Sequence, residues 1–106
     1  MSNTNFSLIS PHTFNGENYP IWSVKMKCFL KAQDLWEIVE EDRPVTPLGR
    51  DPTLAQIKAH TEEKTKRSKA KTLLQNSVSD AEFTKIMIFR TTKEVWDKLK
   101  LEYQGR

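Results

Sequence analysis

Nucleophilic or metal chemistry in this chain would depend on its single cysteine and its two histidines. Cys28 falls on an apolar strip of a predicted helix, where a free cysteine behaves as a small hydrophobic residue, so we expect it in the core. His12 lies in an N-terminal arm and His60 in a charged helix, and neither has a cysteine nearby in the sequence. A zinc site needs about four convergent ligands, which the sequence does not supply. We therefore predict no catalytic residue, no metal site and no cofactor, and we expect neither enzymatic activity nor a small-molecule substrate.

Acidic side chains cluster at the end of a short predicted helix, and we interpret them as solvated surface because unpaired carboxylates are rarely buried. The cluster consists of Glu37, Glu40, Glu41 and Asp42. A single cysteine forms no disulfide within the chain and favours a reducing compartment. The first ten residues lack the basic and apolar segments of a signal peptide, and no apolar run reaches the roughly 20 residues that span a membrane. We expect a cytoplasmic protein that is not secreted and contacts no membrane.

A run of basic residues in the longest predicted helix is the best candidate for a binding surface. Its cations are Lys64, Lys66, Arg67, Lys69 and Lys71. At about 100° per residue, Lys64, Arg67 and Lys71 project together, whereas Lys66 and Lys69 point elsewhere. Glu63 is placed to pair with Arg67 four residues later. No aromatic side chain interleaves with the cations, so binding of RNA would be weak, directed to the backbone and salt-dependent. The run predicts either a solvated helix face or a contact with RNA or a partner.

Two helices are predicted at the start of the domain. Pro20 suits a first helical turn, where its missing N–H has no partner to lose, and it predicts a helix over residues 20–33. Asp34 is placed to cap a second, short helix over residues 35–40. The first helix has two apolar strips, and so wide an apolar sector predicts burial against more than one neighbour. The strips are Trp22, Met26, Phe29 and Leu30, and beside them Ile21, Val24 and Cys28.

Three more helices are predicted towards the C-terminus. Asp51 and Pro52 read as an N-cap followed by a first-turn proline, which opens a long helix over residues 53–77. Capping boxes begin at Ser79 and Thr91, each with a glutamate three residues later that satisfies a free backbone N–H. No segment alternates with the period of two that a strand requires. The pattern therefore predicts an all-α fold with five helices, one of them short.

Composition limits the size of the core. A chain of 106 residues forms one domain, and 37% hydrophobic against 29% charged residues predicts a small helical core under a large solvated surface. The net charge of +3 gives only a mild attraction to nucleic acid. We predict a flexible arm over residues 1–13 and a helical domain over residues 14–106.

Two tryptophan motifs resemble motifs of one known family. The first covers residues 14–22 (FNGENYPIW) and 35–40 (LWEIVE), and the second covers residues 91–105 (TTKEVWDKLKLEYQG). Both are similar to segments of the Gag polypeptide of copia-type LTR retrotransposons of plants. The resemblance implies a helical bundle like the N-terminal domain of a capsid protein, without enzymatic activity. It further implies self-association, weak in isolation, into virus-like particles that enclose the element's RNA.

The motif residues are expected to hold the core rather than to form an aromatic ligand box. They are Phe14, Gly16, Tyr19, Trp22, Met26, Leu30, Leu35, Trp36, Leu73, Leu74, Val95, Trp96, Leu99 and Tyr103. The chain departs from the family because it has no zinc knuckle and stops at Arg106, where family members continue. We expect either the N-terminal part of a longer polyprotein or a shortened copy adopted by its host. The alternative function is a stand-alone domain that binds RNA or a host protein through residues 64–71.

Overall fold

The computed structural model describes residues 11–41 and 45–104. Within these ranges the chain forms five helices, in the order α1 (Tyr19–Ala32), α2 (Trp36–Glu41), α3 (Leu54–Asn76), α4 (Asp80–Ile86) and α5 (Thr92–Gln104). The only extended pairing among the described residues is an isolated bridge, so the all-α prediction is confirmed. The bounds of the first three helices agree with the predicted ones to within one residue at each end. Most of the predicted arm, together with Asp42 and Gly105, lies outside the described residues.

Capping boxes start α3 and α5, but the one at α3 is not at the predicted position. The Thr53 hydroxyl accepts from the backbone N–H of Gln56 at 3.1 Å, and the Gln56 side chain accepts from the Thr53 N–H at 2.8 Å. The predicted N-cap, Asp51, is therefore wrong, because Thr53 has the reciprocal partner that Asp51 lacks. At α5 the predicted box is present, with Thr91 and Glu94 exchanging hydrogen bonds of 3.0 and 3.1 Å.

The predicted cap of α2 is wrong, and the predicted capping box of α4 is only half formed. Asp34 adopts a left-handed conformation with φ of 62°, and its carboxylate accepts a hydrogen bond from Lys66 on α3 rather than capping α2. Ser79 does accept from the backbone N–H of Glu82, at 3.4 Å. The Glu82 carboxylate, however, turns away from the cap and binds Tyr103 on α5, because a tertiary partner replaces the local one.

The core forms where the two ends of the described chain meet. Ten large side chains have less than 2% of their surface exposed: Trp22, Phe14, Met26, Leu30, Leu35, Leu74, Ile86, Leu99, Val39 and Val95. Phe14 precedes α1, yet its N–H donates to the carbonyl of Ser77 and its carbonyl accepts from the N–H of Ser79, both at 2.8 Å. The segment before α1 is thus tied to the junction between α3 and α4.

The prediction that α1 packs against more than one neighbour is confirmed, because it contacts both α2 and α5, but one of the two apolar strips that suggested it is exposed. The strip through Trp22, Met26 and Leu30 is buried, whereas Cys28 is exposed and Val24 is 64% exposed. The prediction that Cys28 lies in the core is therefore wrong. The reason is that the core lies on a single side of α1, and the strip through Val24 points almost directly away from it.

Candidate functional site

The aromatic side chains of the two tryptophan motifs form one continuous cluster. Trp22 on α1 stacks on Trp96 on α5 with ring centroids 5.9 Å apart, and Trp36 on α2 meets Trp96 edge-on at 5.2 Å. Tyr19 stacks on Tyr103 at 6.0 Å, so the second pair joins the same two helices. Offset-stacked and edge-on pairs of this kind stabilise a fold beyond the burial of their area. The cluster joins the motifs at opposite ends of the chain.

The other motif residues fill the space around this cluster. Met26, Leu30, Leu35, Leu74, Val95 and Leu99 are buried, and Leu73 packs against the core while partly exposed. The centroid of the Phe14 ring lies within 5.7 Å of the centroids of three other aromatic rings, those of Tyr19, Trp22 and Tyr103. The structure therefore places Phe14, Tyr19, Trp22 and Trp96 in the packed core, and it places Trp36 and Tyr103 against that core, partly buried.

A groove of about 310 Å³ lies above the cluster, between α1, α2 and α5. It is lined by Tyr19, Ser23, Val24, Lys27, Trp36, Val39, Glu40, Trp96, Asp97, Lys100 and Gln104. The Lys27 ammonium lies 5.0 Å from the centroid of the Trp36 ring, a distance at which a cation is attracted to an aromatic face. Burial, with a smaller contribution from the charge of Asp97, raises the pKa of Tyr19 to about 12. This groove could not be predicted from the sequence, because its walls combine α1 and α2 with α5, which lies far from them along the chain.

The buried carboxylate of Glu82 on α4 lies on the side of α5 away from the groove. The Tyr103 hydroxyl donates to Glu82 Oε1 at 2.6 Å and accepts from Lys85 Nζ at 3.0 Å. Lys85 also lies 3.4 Å from carboxylate oxygens of Glu82 and Glu102. Burial and the Glu82 carboxylate raise the pKa of Tyr103, and the hydrogen bond to Tyr103, followed by that to Glu82, raises the pKa of Lys85. The network joins α4 to α5 and satisfies the buried charge.

Gly16 of the first motif is required by this network. Its φ is +97°, a conformation that residues with a side chain rarely adopt. A Cβ at this position would lie 3.2 Å from Glu82 Oε2, closer than nearly all real Cβ contacts. The glycine therefore permits both the turn before α1 and the close approach of the buried carboxylate. The capping-box spacing drew attention to Glu82 in the sequence, but nothing there indicated its partners.

The basic run on α3 is less free than its charge suggests. Lys66 Nζ lies 2.7 Å from the Asp34 carboxylate, and this hydrogen bond raises the pKa of Lys66 and lowers that of Asp34. Arg67 pairs with Glu63 at 3.3 Å, as their spacing predicts. Of the remaining cations, Lys64 and Lys69 are exposed and Lys71 is partly buried. Two of the five cations are therefore already engaged within the domain.

The histidines and the cysteine are not brought together. His60 Nδ1 lies 3.0 Å from the carbonyl oxygen of Thr46, in an open cleft between the loop 45–49 and α3. His12 and Cys28 are exposed at other places on the surface. Over residues 11–41 and 45–104, no group of three or more histidine, cysteine or acidic residues is arranged to hold a metal ion. None of the helices in these ranges is long and apolar enough to cross a membrane.

A protein-family model matches the N-terminal part of the chain. Residues 14–40 match a domain of unknown function, DUF4219. The match covers the first tryptophan motif, from Phe14 through α1 and most of α2. No curated protein and no solved structure matches the chain.

Proposed function

We propose that this chain is a structural assembly module, the N-terminal part of a copia-type Gag capsid region that self-associates into cytoplasmic virus-like particles around element RNA. The match of residues 14–40 supports the proposal, because DUF4219 is found in plant retrotransposon Gag-like proteins. The second tryptophan motif adds support, since it lies outside the match and its rings pack on those of the first.

The observation that carries the proposal is the exposure of large apolar side chains on separate elements of one small domain. They are Ile21 and Val24 on α1, Leu54 and Ile57 on α3, Met87 and Ile88 after α4, and Leu101 on α5. Burying exposed apolar groups against another protein removes apolar area from water, which favours association. A lattice needs two or more distinct patches, since a single isologous contact closes as a dimer. Apolar positions on several elements therefore suit a subunit that assembles.

Light-scattering mass on a sizing column, over a wide range of concentration and after removal of nucleic acid, tests this proposal. We expect a mass that rises above the 12.4 kDa of the monomer, through dimers, into larger species, because weak contacts reinforce one another in an assembly. The double variant Leu54→Glu/Ile88→Glu should stop growth at small species. Lys58→Glu, which changes charge on α3 without removing an apolar group, is the matched control. A strict monomer at every concentration contradicts the proposal.

A second candidate function is the binding of RNA or an acidic protein by α3 in a stand-alone, domesticated domain. The observation that favours it is the exposure of Lys64 and Lys69 on one helix. The engagement of Lys66 with Asp34 and of Arg67 with Glu63 weakens it, because paired cations release fewer counterions from a polyanion. We therefore rank it below assembly.

RNA affinity measured against salt concentration distinguishes this second function. Replacement of Lys64, Lys69 and Lys71 by glutamine should weaken binding and reduce its salt dependence if α3 contacts the phosphates. A control with the same change in net charge replaces Lys25, Lys31 and Lys98, which lie on α1 and α5. Equal losses in the two triple variants would indicate only a general effect of charge, and the binding function of α3 would then be discarded.

A further inference from the structure

The groove between α1, α2 and α5 combines aromatic rings with acidic side chains. Its volume of about 310 Å³ is that of a small ligand pocket. Trp36, which is partly exposed, lines the groove together with Tyr19 and Trp96. Two carboxylates also line it, those of Glu40 on α2 and Asp97 on α5. Aromatic faces beside carboxylates are the groups that attract an organic cation.

A cation of the chain itself lies on one of these rings. The Lys27 ammonium is 5.0 Å from the centroid of the Trp36 ring, and it makes no ion pair with any residue that the structure describes. Lys27 is exposed on a flexible stem, so its ammonium can move into solvent and leave the ring to another cation. The contact shows that this ring, in its place in the groove, holds a positive charge.

The hydroxyl of Tyr19 offers a hydrogen-bond acceptor in the same groove. Tyr19 has only 4% of its surface exposed and lines the groove. Its hydroxyl has no hydrogen-bond partner within residues 11–41 and 45–104, whereas the hydroxyl of Tyr103 binds both Glu82 and Lys85. Buried polar groups normally have a partner, and an N–H group of a ligand would supply one here.

The two carboxylates have capacity for a ligand as well. Asp97 Oδ2 pairs with Lys93 on the same helix, and a carboxylate accepts more hydrogen bonds than this single pair provides. Glu40 is exposed and forms no ion pair with the described part of the chain. Lys27 and Lys100 balance these two acids, so the groove offers a polyanion no net attraction.

We propose that this groove binds an arginine side chain of a partner peptide. The guanidinium lies on the Trp36 ring in place of Lys27, and its N–H groups donate to the Tyr19 hydroxyl and to a carboxylate of the groove. Arginine suits the site better than lysine, because its planar group stacks on aromatic faces and carries five donors in a fork. The inference goes beyond the assembly function and does not depend on it, since one copy of the chain contains the whole groove.

Binding of a short peptide, acetyl-Gly-Arg-Gly-amide, followed by NMR, tests the proposal. The matched probe carries citrulline, which has nearly the same shape as arginine and no charge. We expect a dissociation constant about fivefold lower for the arginine peptide. The indole N–H signals of Trp36 and Trp96 should shift, and that of the fully buried Trp22 should not. Equal affinity for the two peptides, or tighter binding of uridine monophosphate, overturns the proposal.

Neutralising the acids of the groove tests their part in binding. The double variant Glu40→Gln/Asp97→Asn should bind the arginine peptide about fivefold more weakly. The control Glu62→Gln/Asp80→Asn makes the same change in net charge at exposed positions of α3 and α4, and it should bind as the unmodified chain does. Circular dichroism should give the same helicity for all three proteins. Equal losses in the two double variants contradict the proposal.

Removing the resident cation should have the opposite effect. Lys27→Met keeps an unbranched side chain but no longer competes for the Trp36 ring, so affinity for the arginine peptide should rise about threefold. Lys25→Met makes the same change on α1 outside the groove and should have little effect. A loss of affinity in Lys27→Met, or an equal gain in Lys25→Met, would show that the ligand does not replace Lys27 on the ring.

Discussion

Two regions of the molecule are stabilised by different interactions. One is the aromatic core between α1 and α5, and the other is the first half of α3. Trp22 is fully buried and contacts rings from both ends of the described chain. In the first half of α3, by contrast, Leu54 is 85% exposed, and the buried residues of this helix, Ala70 and Leu74, lie in its second half. Buried side chains hold the aromatic core, whereas the first half of α3 relies on helical and capping hydrogen bonds. The two regions should therefore respond to different mutations.

The largest expected difference between the regions is seen on truncation of an apolar side chain. Trp22→Ala should lower the free energy of unfolding by about 3–5 kcal/mol, because it removes a large side chain from a packed core. Leu54→Ala should change it by less than about 0.5 kcal/mol, because the leucine is exposed. Urea unfolding followed by circular dichroism measures both. Similar losses in the two variants would show that the first half of α3 shares the core's stability.

The two described glycines should differ in the same way. Gly16→Ala should cost about 1–3 kcal/mol, because it combines a positive φ with the approach of the Glu82 carboxylate. Gly49→Ala has no neighbour within 4 Å and should be neutral, or stabilise by up to about 1 kcal/mol through the unfolded chain. Thermal unfolding of the two variants side by side is the measurement. A tolerated alanine at residue 16 would refute the tight approach of α4 to the first motif.

Removal of the α3 cap should affect only its own region. Thr53→Ala deletes the hydroxyl that accepts from Gln56 and should cost the first turn of α3 about 1 kcal/mol. Amide hydrogen exchange should then accelerate over residues 56–58 and stay unchanged at Leu99 in the core. Thr91→Ala, which removes the corresponding hydroxyl from α5, should instead reduce global stability, because α5 carries core residues. Uniform acceleration in the Thr53→Ala variant would contradict independence of the two regions.

The smallest expected effect is a loss of stability at alkaline pH. It involves the aromatic core only and is absent at neutral pH. The folded state raises the pKa of Tyr19 to about 12, above the roughly 10 of a free tyrosine. A raised pKa favours the protonated form, so this stabilisation is complete below about pH 10 and is lost as pH rises through about 12. Tyr19→Phe should reduce the loss of stability over this window. The tyrosinate absorbance of the variant should report Tyr103 alone, since the chain has two tyrosines. An unchanged alkaline profile would contradict the burial of the Tyr19 hydroxyl.

Features that depend on local sequence could be predicted, and those that depend on the presence of a neighbour could not. Helix bounds and the capping box of Thr91 and Glu94 follow from residues within one turn of each other. The exposure of Cys28 does not, because helical periodicity defines an apolar strip but cannot say whether anything covers it. The N-cap of α3 is the exception, because Thr53 and Gln56 form a local capping box that the sequence already contains and that the prediction of Asp51 overlooked.

The candidate site was less predictable than the fold for the same physical reason. The cations of α3 are evident in the sequence, but the pairing of Lys66 with Asp34 joins residues that lie far apart along the chain. The groove is formed by three helices, and its balanced charge depends on which residues of each helix face it. Glu82 matched a helix cap, yet its carboxylate binds Tyr103 on another helix.

The tie between Phe14 and the junction of α3 and α4 has a consequence for synthesis on the ribosome. Phe14 bonds to Ser77 and Ser79, and the rings that cover the first motif come from α5, near the end of the described chain. Contacts between residues so distant in sequence slow folding, because a long loop must close before they form. The first motif therefore emerges from the exit tunnel with its aromatic side chains uncovered. They stay uncovered until nearly the whole domain has been translated.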